Sequence, residues 1–306
     1  QREEDVAKGQ RGLCKEIRSA LASKQPLALD LTAKLLLTSV PPEVATLRTL
    51  QSLYLGSNSI SRLSDALIAP LTQLKVLYLA DNQLKELPSD IGTLTNLQTL
   101  YVGDNLLSSL PPSFEKLTKL QTLHLAVNEI DAVPDFVGCL PSLKELDVGS
   151  NNIRALQPSL FATTMTLRGL SARNNALTSI PDTLWRVKTL QELWLTGNEM
   201  LGSISPKIAR CPYLRVLQLK GCGLEALPPE VGFLQKLNTL NVAYNRLTSL
   251  PASLGRLMRL QELRAEENLI TELPVSLCNL PDLEELVVRG NPLKEERMLE
   301  MEARAV

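Results

Sequence analysis

The sequence predicts an α/β solenoid in which a short strand and a turn alternate along the chain. A phrase of the form L-x-x-L-x-L-x-x-N-x-L returns about every 23 residues and recurs eleven times in 306 residues. Its L-x-L portion has the two-residue period of a strand with one buried face. A segment of the form L-P-x-x-[ILV]-x-x-L, as at 87–94, then predicts a turn. Self-similarity at this period is typical of stacked repeats.

At the amino-terminal end, apolar residues recur at helical spacing among charged ones. Val6, Leu13, Ile17 and Leu21 fall on one face of such a helix. We therefore expect residues 1–26 to form a helical cap over the first repeat. A degenerate copy of the phrase follows and lacks the Asn, as terminal repeats often do.

The solenoid itself is predicted over residues 27–293. Each copy supplies one strand, so about 11–12 strands would form a parallel concave sheet, with loops and short helical turns on the convex side. The full copies begin at Leu50, Leu74, Leu97, Leu120, Leu143, Leu167, Leu190, Leu214, Leu237, Leu260 and Leu283.

A column of asparagines at the end of the strands is predicted to be structural. A buried amide satisfies backbone groups of the turn, which would otherwise cost roughly 1–3 kcal/mol each when left unpaired. The column comprises Asn58, Asn82, Asn105, Asn128, Asn151, Asn175, Asn198, Asn245, Asn268 and Asn291, with Cys222 once in place of Asn.

At the carboxyl-terminal end, a second helical cap is predicted over residues 294–306. This segment is rich in Glu, Lys and Arg and has Met298, Leu299 and Met301 available to cover the last strand.

The repeat pattern resembles a known group of proteins. Asn-x-Leu-x-x-Leu-Pro-x-x-[Ile/Leu]-x-x-Leu, as at 105–117 and 245–257, is similar to the intracellular Ras-group leucine-rich repeat proteins. That group includes Ras-pathway scaffolds, the Ras suppressor protein and plant intracellular Ras-group proteins. The resemblance covers 27–293 and implies a leucine-rich repeat horseshoe that serves as a non-enzymatic cytoplasmic scaffold or adaptor, often with small GTPases or phosphatases.

Composition indicates a compartment and excludes some partners. The formal net charge is −1, which provides no global field for nucleic acid or an anionic membrane. The sequence has no apolar run of membrane-spanning length. The five cysteines are scattered singly, so we expect free thiols and a cytoplasmic protein that is monomeric by itself.

One column of residues is not dictated by packing. The residue between the second and third Leu of each strand points away from the core, and four consecutive copies carry a ring there. Rigid amphipathic rings often anchor interfaces, so we interpret this column as a protein-binding surface. The alternative is that the rings only stack on one another to cover backbone. The column reads Tyr54, Tyr78, Tyr101, His124, Asp147, Ser171, Trp194, Gln218, Asn241, Arg264 and Val287.

Charged neighbours suggest the chemistry of the partner. Asp81 and Asp104 follow the tyrosines, beside small residues expected to leave the ring faces accessible, namely Gly56, Ala80 and Gly103. A partner with Arg or Lys would suit this patch, while Arg173 adds positive charge in the middle. The predicted partner-binding residues are Tyr54, Tyr78, Tyr101, His124, Asp147, Trp194, Asp81, Asp104 and Arg173.

Catalysis is not expected. His124, Asp147 and Ser171 are the residue types of a hydrolase triad, but Asp147 occupies the middle place that a triad gives to His. We predict no catalytic residue, no metal site and no cofactor. Two functions remain: a stand-alone adaptor, or the recognition or structural arm of a larger assembly such as a phosphatase complex, an axonemal or ribosomal particle, or a multidomain enzyme.

Overall fold

The computed structural model describes residues 15–23, 27–33, 37–163 and 166–294. They belong to two compact units, Gln1–Asn151 and Asn152–Val306. Each unit is a solenoid in which every strand is followed by a turn and then by the next strand.

In the first unit, six three-residue strands pair in parallel, each with the next along the chain. The register does not shift, so Leu53, Leu77 and Leu100 lie opposite one another on neighbouring strands. The strands are β1 Ala28–Asp30, β2 Ser52–Tyr54, β3 Val76–Tyr78, β4 Thr99–Tyr101, β5 Thr122–His124 and β6 Glu145–Asp147.

Short helical turns connect these strands on the side away from the sheet. Most begin at or just after a Pro, whose fixed φ suits the first turn. They are the α-helix Asp65–Ile68 and the 3₁₀ helices η1 Pro42–Thr46, η2 Ser89–Thr93, η3 Pro112–Lys116 and η4 Asp135–Cys139.

The helix predicted at the amino terminus is described from residue 15. Residues 15–22 are helical, and Ile17 and Ala20 are buried among them. Leu21, which the spacing assigns to the inward face, is instead 43% exposed. The expectation was wrong for this residue because Ala20 takes the inward place. Val6 and Leu13 lie outside the described residues, and the extent of the cap stays a prediction.

The second unit repeats the same scheme. Its strands are β7 Gly169–Ser171, β8 Glu192–Trp194, β9 Val216–Gln218, β10 Thr239–Asn241, β11 Glu262–Arg264 and β12 Glu285–Val287, again parallel and in unshifted register. Its 3₁₀ helices are η5 Pro158–Phe161, η6 Leu184–Arg186, η7 Pro206–Arg210, η8 Pro229–Phe233, η9 Ala252–Arg256 and η10 Val275–Asn279.

These elements confirm the predicted fold class. The described residues hold twelve parallel strands, one per repeat, joined by loops and single helical turns. The predicted carboxyl-terminal helix lies outside the described residues apart from Lys294.

Rows of Leu between the strands and the turns form the core. In the repeat around β4, Leu97, Leu100 and Val102 are fully buried, and Ile91 and Leu94 from the preceding turn are buried with them. A three-residue strand buries too few apolar groups to be stable alone, so each repeat depends on the rows of its neighbours.

The asparagine column bonds one repeat to the preceding one. The Asn105 side-chain amide donates to the carbonyls of Leu79, Val102 and Gly103 at 3.0–3.2 Å. Its Oδ1 accepts the backbone N–H of Leu84 at 3.0 Å. The side chain thus satisfies backbone groups of two repeats at once, and Asn105 is only 6% exposed.

At Cys222, a thiol replaces the amide and takes over part of its role. The Cys222 Sγ lies 3.2 Å from the carbonyl oxygen of Leu195, which an amide would otherwise reach. Burial raises the pKa of the Cys222 thiol to about 11, and the same cause raises the pKa of Cys211 to about 12. Both thiols are therefore neutral at physiological pH, as expected for inert core residues.

We expect Asn105→Ala to lower the free energy of unfolding by about 2–4 kcal/mol, because it leaves several buried backbone groups unpaired. Urea denaturation measures the change. The matched control is Asn96→Ala, since Asn96 is half-buried, its amide donates to the single carbonyl of Thr72 and its Oδ1 accepts only from the exposed Lys119 ammonium. The control should cost less than about 1 kcal/mol, and equal losses would contradict the structural role of Asn105.

Thiol labelling should separate two classes of cysteine. Cys139 and Cys278 are exposed, whereas Cys211 and Cys222 are buried, and all four are free. In a Cys14→Ser background, a disulfide reagent at pH 8 should modify two thiols quickly and the other two only after denaturation. Fast modification of all four would show that the core of the second unit is open.

Candidate functional site

Four rings stand in line on the sheet face of the first unit. Tyr54, Tyr78, Tyr101 and His124 end strands β2 to β5, and the parallel register places each directly opposite the next. We call these four residues the aromatic ladder. Asp147 occupies the same position on β6, opposite His124.

The rings of the aromatic ladder contact one another. Ring centroids are 6.4 Å apart for Tyr54 and Tyr78, 5.3 Å for Tyr78 and Tyr101, and 4.5 Å for Tyr101 and His124. The first two pairs are tilted by about 40°, and the last pair is stacked. Self-stacking, the alternative raised from the sequence, is therefore present. All four residues nevertheless remain partly exposed.

The Tyr78 ring of the aromatic ladder packs against Gly56. A Cβ at this position would lie 2.5 Å from Cε1 of Tyr78, so the ring rests directly on the glycine backbone. The expectation that small residues leave the tyrosine faces accessible was wrong here, because Tyr78 leans over Gly56 and covers it. The consequence is a ring fixed in place, which loses little side-chain entropy when it binds a partner.

The outer ends of the tyrosines are available for polar contacts. Among the described residues, the hydroxyls of Tyr54, Tyr78 and Tyr101 form no hydrogen bond. Each is a donor and an acceptor that a partner can engage.

His124 and Asp147 continue the line with a charged pair. The distance from His124 Nδ1 to Asp147 Oδ2 is 3.7 Å, longer than a hydrogen bond but within ion-pair range when His124 is protonated. Asp147 Oδ1 accepts the backbone N–H of Gly149 at 2.9 Å. The Asp147 side chain is only 15% exposed, so it mainly contacts His124 and the backbone rather than solvent.

Backbone geometry positions the acidic residues beside the ladder. Asp81 and Asp104 have φ values of 58° and 54°, the left-handed region that Asp tolerates better than most residues. This conformation directs their backbone N–H groups to the carbonyls of Gly103 and Ala126, at 3.0 and 2.8 Å. Both Asp residues are exposed.

The left-handed position recurs in every repeat of the first unit, and sequence reasoning missed it. Its members are Ala33, Ser57, Asp81, Asp104, Val127 and Ser150. The signal available was the preference for short polar residues directly before each Asn, which is typical of positive φ.

The two other predicted site residues lie in the second unit. Trp194 stands between Ser171 and Gln218 in the strand register, without a ring beside it, and its Nε1 donates to Glu192 Oε2 at 3.3 Å. Arg173 is exposed.

The Arg264 guanidinium contacts Glu285 Oε1 at 2.9 Å and Glu262 Oε1 at 3.0 Å. The hydrogen bond to Glu285 raises the pKa of Arg264 above its usual range.

The described residues show neither a metal-binding cluster nor a membrane-spanning helix. Within residues 15–23, 27–33, 37–163 and 166–294, no three His, Cys, Asp or Glu side chains are grouped as metal ligands. In that same part of the chain, each helix is too short or too polar to cross a membrane.

Family models match most of the chain. A leucine-rich repeat region model matches residues 64–160 and 166–301, and a leucine-rich repeat model matches residues 28–84. The chain belongs to the leucine-rich repeat family. Members of this family act in general as non-enzymatic interaction modules.

Solved leucine-rich repeat structures are similar over nearly the whole chain. A leucine-rich repeat protein of Leptospira interrogans is 31% identical with a TM-score of 0.83, covering 94% of this chain and 78% of that one. The Arabidopsis receptor kinase HAESA, solved with the peptide hormone IDA and a co-receptor, is 30% identical with a TM-score of 0.79. That match covers 89% of this chain and 47% of the receptor chain.

A curated relative of known activity matches over a short stretch. A uridine 5'-monophosphate transferase of Xanthomonas campestris is 32% identical over 92 residues, which are 30% of this chain and 16% of the transferase. The chain therefore spans a small part of that enzyme.

Val127 is the unfavourable member of the left-handed position, because a β-branched side chain is strained at its φ of 60°. We expect Val127→Asn to raise the free energy of unfolding by about 1 kcal/mol. Asn174 already takes the equivalent conformation in the second unit, with φ of 51°. Val275→Asn is the control, since Val275 is also exposed but begins a 3₁₀ helix. An unchanged or lower urea midpoint for Val127→Asn would contradict the strain argument.

Proposed function

We propose that the aromatic ladder binds a protein partner, which makes the chain a non-enzymatic scaffold or adaptor. The observation that carries this proposal is the unbroken line of four partly exposed rings on consecutive strands. The core does not need rings at these positions, because the buried Leu residues of each repeat lie on the opposite face. Aromatic side chains fixed in place are the usual anchors of protein interfaces.

The neighbouring charges favour a partner with basic side chains. Asp81 and Asp104 are exposed, and a guanidinium binds a carboxylate through two parallel hydrogen bonds. The same cation gains from ring faces that stay open, through cation–π attraction. The free tyrosine hydroxyls supply further contacts along the line. In the second unit, Trp194 and Arg173 are proposed as partner-binding residues of that unit by itself.

The resemblance to Ras-group proteins supports a more specific role. We propose that the chain acts in the cytoplasm, as a monomer, with a small GTPase or a phosphatase as partner. The free cysteines of the described residues agree with a reducing compartment.

One observation favours the alternative of an arm within a larger protein. The chain spans 47% of the HAESA receptor chain and 16% of the Xanthomonas transferase, so both extend well beyond the part that matches this chain. In such an arrangement the same ladder would recruit the partner for another domain. The full-length gene product distinguishes the two, since flanking domains favour the arm.

The test is a comparison of binding partners between variants. Tyr78→Ala combined with Tyr101→Ala should lose the partners that the wild-type chain enriches from its native cells, because truncating an anchor ring costs about 2 kcal/mol or more. Quantitative mass spectrometry of the captured proteins measures the loss.

Two controls accompany this experiment. Lys116→Ala, on η3 away from the sheet, should retain the partners. Tyr78→Phe combined with Tyr101→Phe keeps the stacking and removes the hydroxyls, and should lose less than the Ala pair. Equal enrichment by the Ala pair and the wild type would contradict binding at the ladder.

A further inference from the structure

The second unit carries basic and aromatic residues on the turns that lead into strands β9, β10 and β11. Arg210, Phe233 and Arg256 are the last residues of η7, η8 and η9, so they occupy equivalent places in three consecutive repeats. Tyr213, Lys236 and Arg259 occupy a second equivalent place, directly before the first Leu of each phrase. We call these six residues the basic–aromatic strip.

The strip has an uncompensated positive charge. The segments 210–215, 233–238 and 256–261 contain no Asp or Glu. Among the described residues, none of the strip's four cations forms an ion pair. Since the whole chain has a net charge of −1, this concentration of one sign is local.

Large apolar side chains are exposed within the same strip. Tyr213 is 48% exposed and Phe233 is 52% exposed. Exposed aromatics flanked by unpaired cations are unusual on a surface that only meets water, and they are typical of interfaces.

Each ring is held by a cation from the following repeat. Lys236 Nζ lies 4.3 Å from the ring centroid of Tyr213, and Arg256 Cζ lies 5.6 Å from that of Phe233. These contacts orient both cationic groups while leaving their charges unneutralised. The strip is therefore ordered before any partner arrives, which lowers the entropic cost of binding.

From these contacts we infer that the basic–aromatic strip binds an acidic protein segment that also carries apolar side chains. Carboxylates pair with the unpaired guanidinium groups of Arg210, Arg256 and Arg259. The apolar side chains of the segment pack on the exposed edges of Tyr213 and Phe233. Single-stranded nucleic acid fits less well, because bases stack on open ring faces and one face of each ring is already covered by a cation.

The length of the basic–aromatic strip determines how long a test peptide must be to cover it. An extended segment advances about 3.3 Å per residue, so eight residues cover roughly 25 Å and reach across the three repeats. The probe is the labelled octapeptide Glu-Glu-Phe-Glu-Glu-Leu-Glu-Glu, acetylated and amidated at its ends. Two comparison peptides replace either every Glu with Gln or both apolar residues with Ser.

Fluorescence anisotropy at physiological ionic strength measures binding to the folded chain. We expect both comparison peptides to bind at least tenfold more weakly than the probe. Arg210→Glu combined with Arg256→Glu should weaken probe binding at least tenfold, and Phe233→Ala should weaken it several-fold. The matched control is Arg48→Glu combined with Lys116→Glu, which makes the same charge change on exposed turns of the first unit and should stay within twofold of wild type.

Several results would overturn the inference. One is no binding of the probe up to millimolar concentration, and another is equal loss in the two Glu double variants. A third is equal affinity for the probe and its Ser-substituted form, which would leave only diffuse charge attraction. Strip-dependent binding of oligothymidylate or of phosphatidylserine vesicles that is tighter than binding of the probe would assign the strip to nucleic acid or membrane instead. Circular dichroism of each variant confirms that the fold is retained.

Discussion

The side-chain amide at the end of each strand is the interaction on which the repeats depend. Asn82 donates to the carbonyls of Leu55 and Leu79 at 3.0 Å and accepts from the N–H of Ile60. These groups face the interior at the point where the chain leaves the sheet, where water cannot reach them. Without the amide, these backbone groups would be buried without hydrogen-bond partners. Their loss would destabilise the fold by more free energy than any single surface contact described above contributes.

The same turn determines where surface chemistry is placed. Directly before each Asn, the chain takes a left-handed conformation, so the residue there stands outside the buried rows. Where that residue is Asp81 or Asp104, the fold presents a carboxylate beside the aromatic ladder. The buried Asn and the exposed residue directly before it thus serve packing and binding respectively. The exposed residue can vary between repeats while the Asn stays constant.

The sequence predicts the buried half of this architecture well, because periodic Leu and Asn leave one arrangement that satisfies the backbone. It also identifies the column of rings, since outward positions follow from the two-residue period of a strand. It does not predict how the rings lie. The lean of Tyr78 over Gly56 depends on rotamers that the pattern leaves open. The contact between Lys236 and Tyr213 was missed because it joins two turns, where no strand period specifies which side chains meet.

The unshifted register of the parallel strands places the outward side chains of the first unit at one constant spacing. Neighbouring strands are about 4.8 Å apart, whereas an extended chain advances about 3.3 Å per residue. Two repeats therefore match about three residues of an extended partner lying along the line from Tyr54 to His124. Because side chains of an extended chain alternate between two faces, such a partner brings the same face back into phase with the column only after six residues, or four repeats, which is the distance from Tyr54 to Asp147.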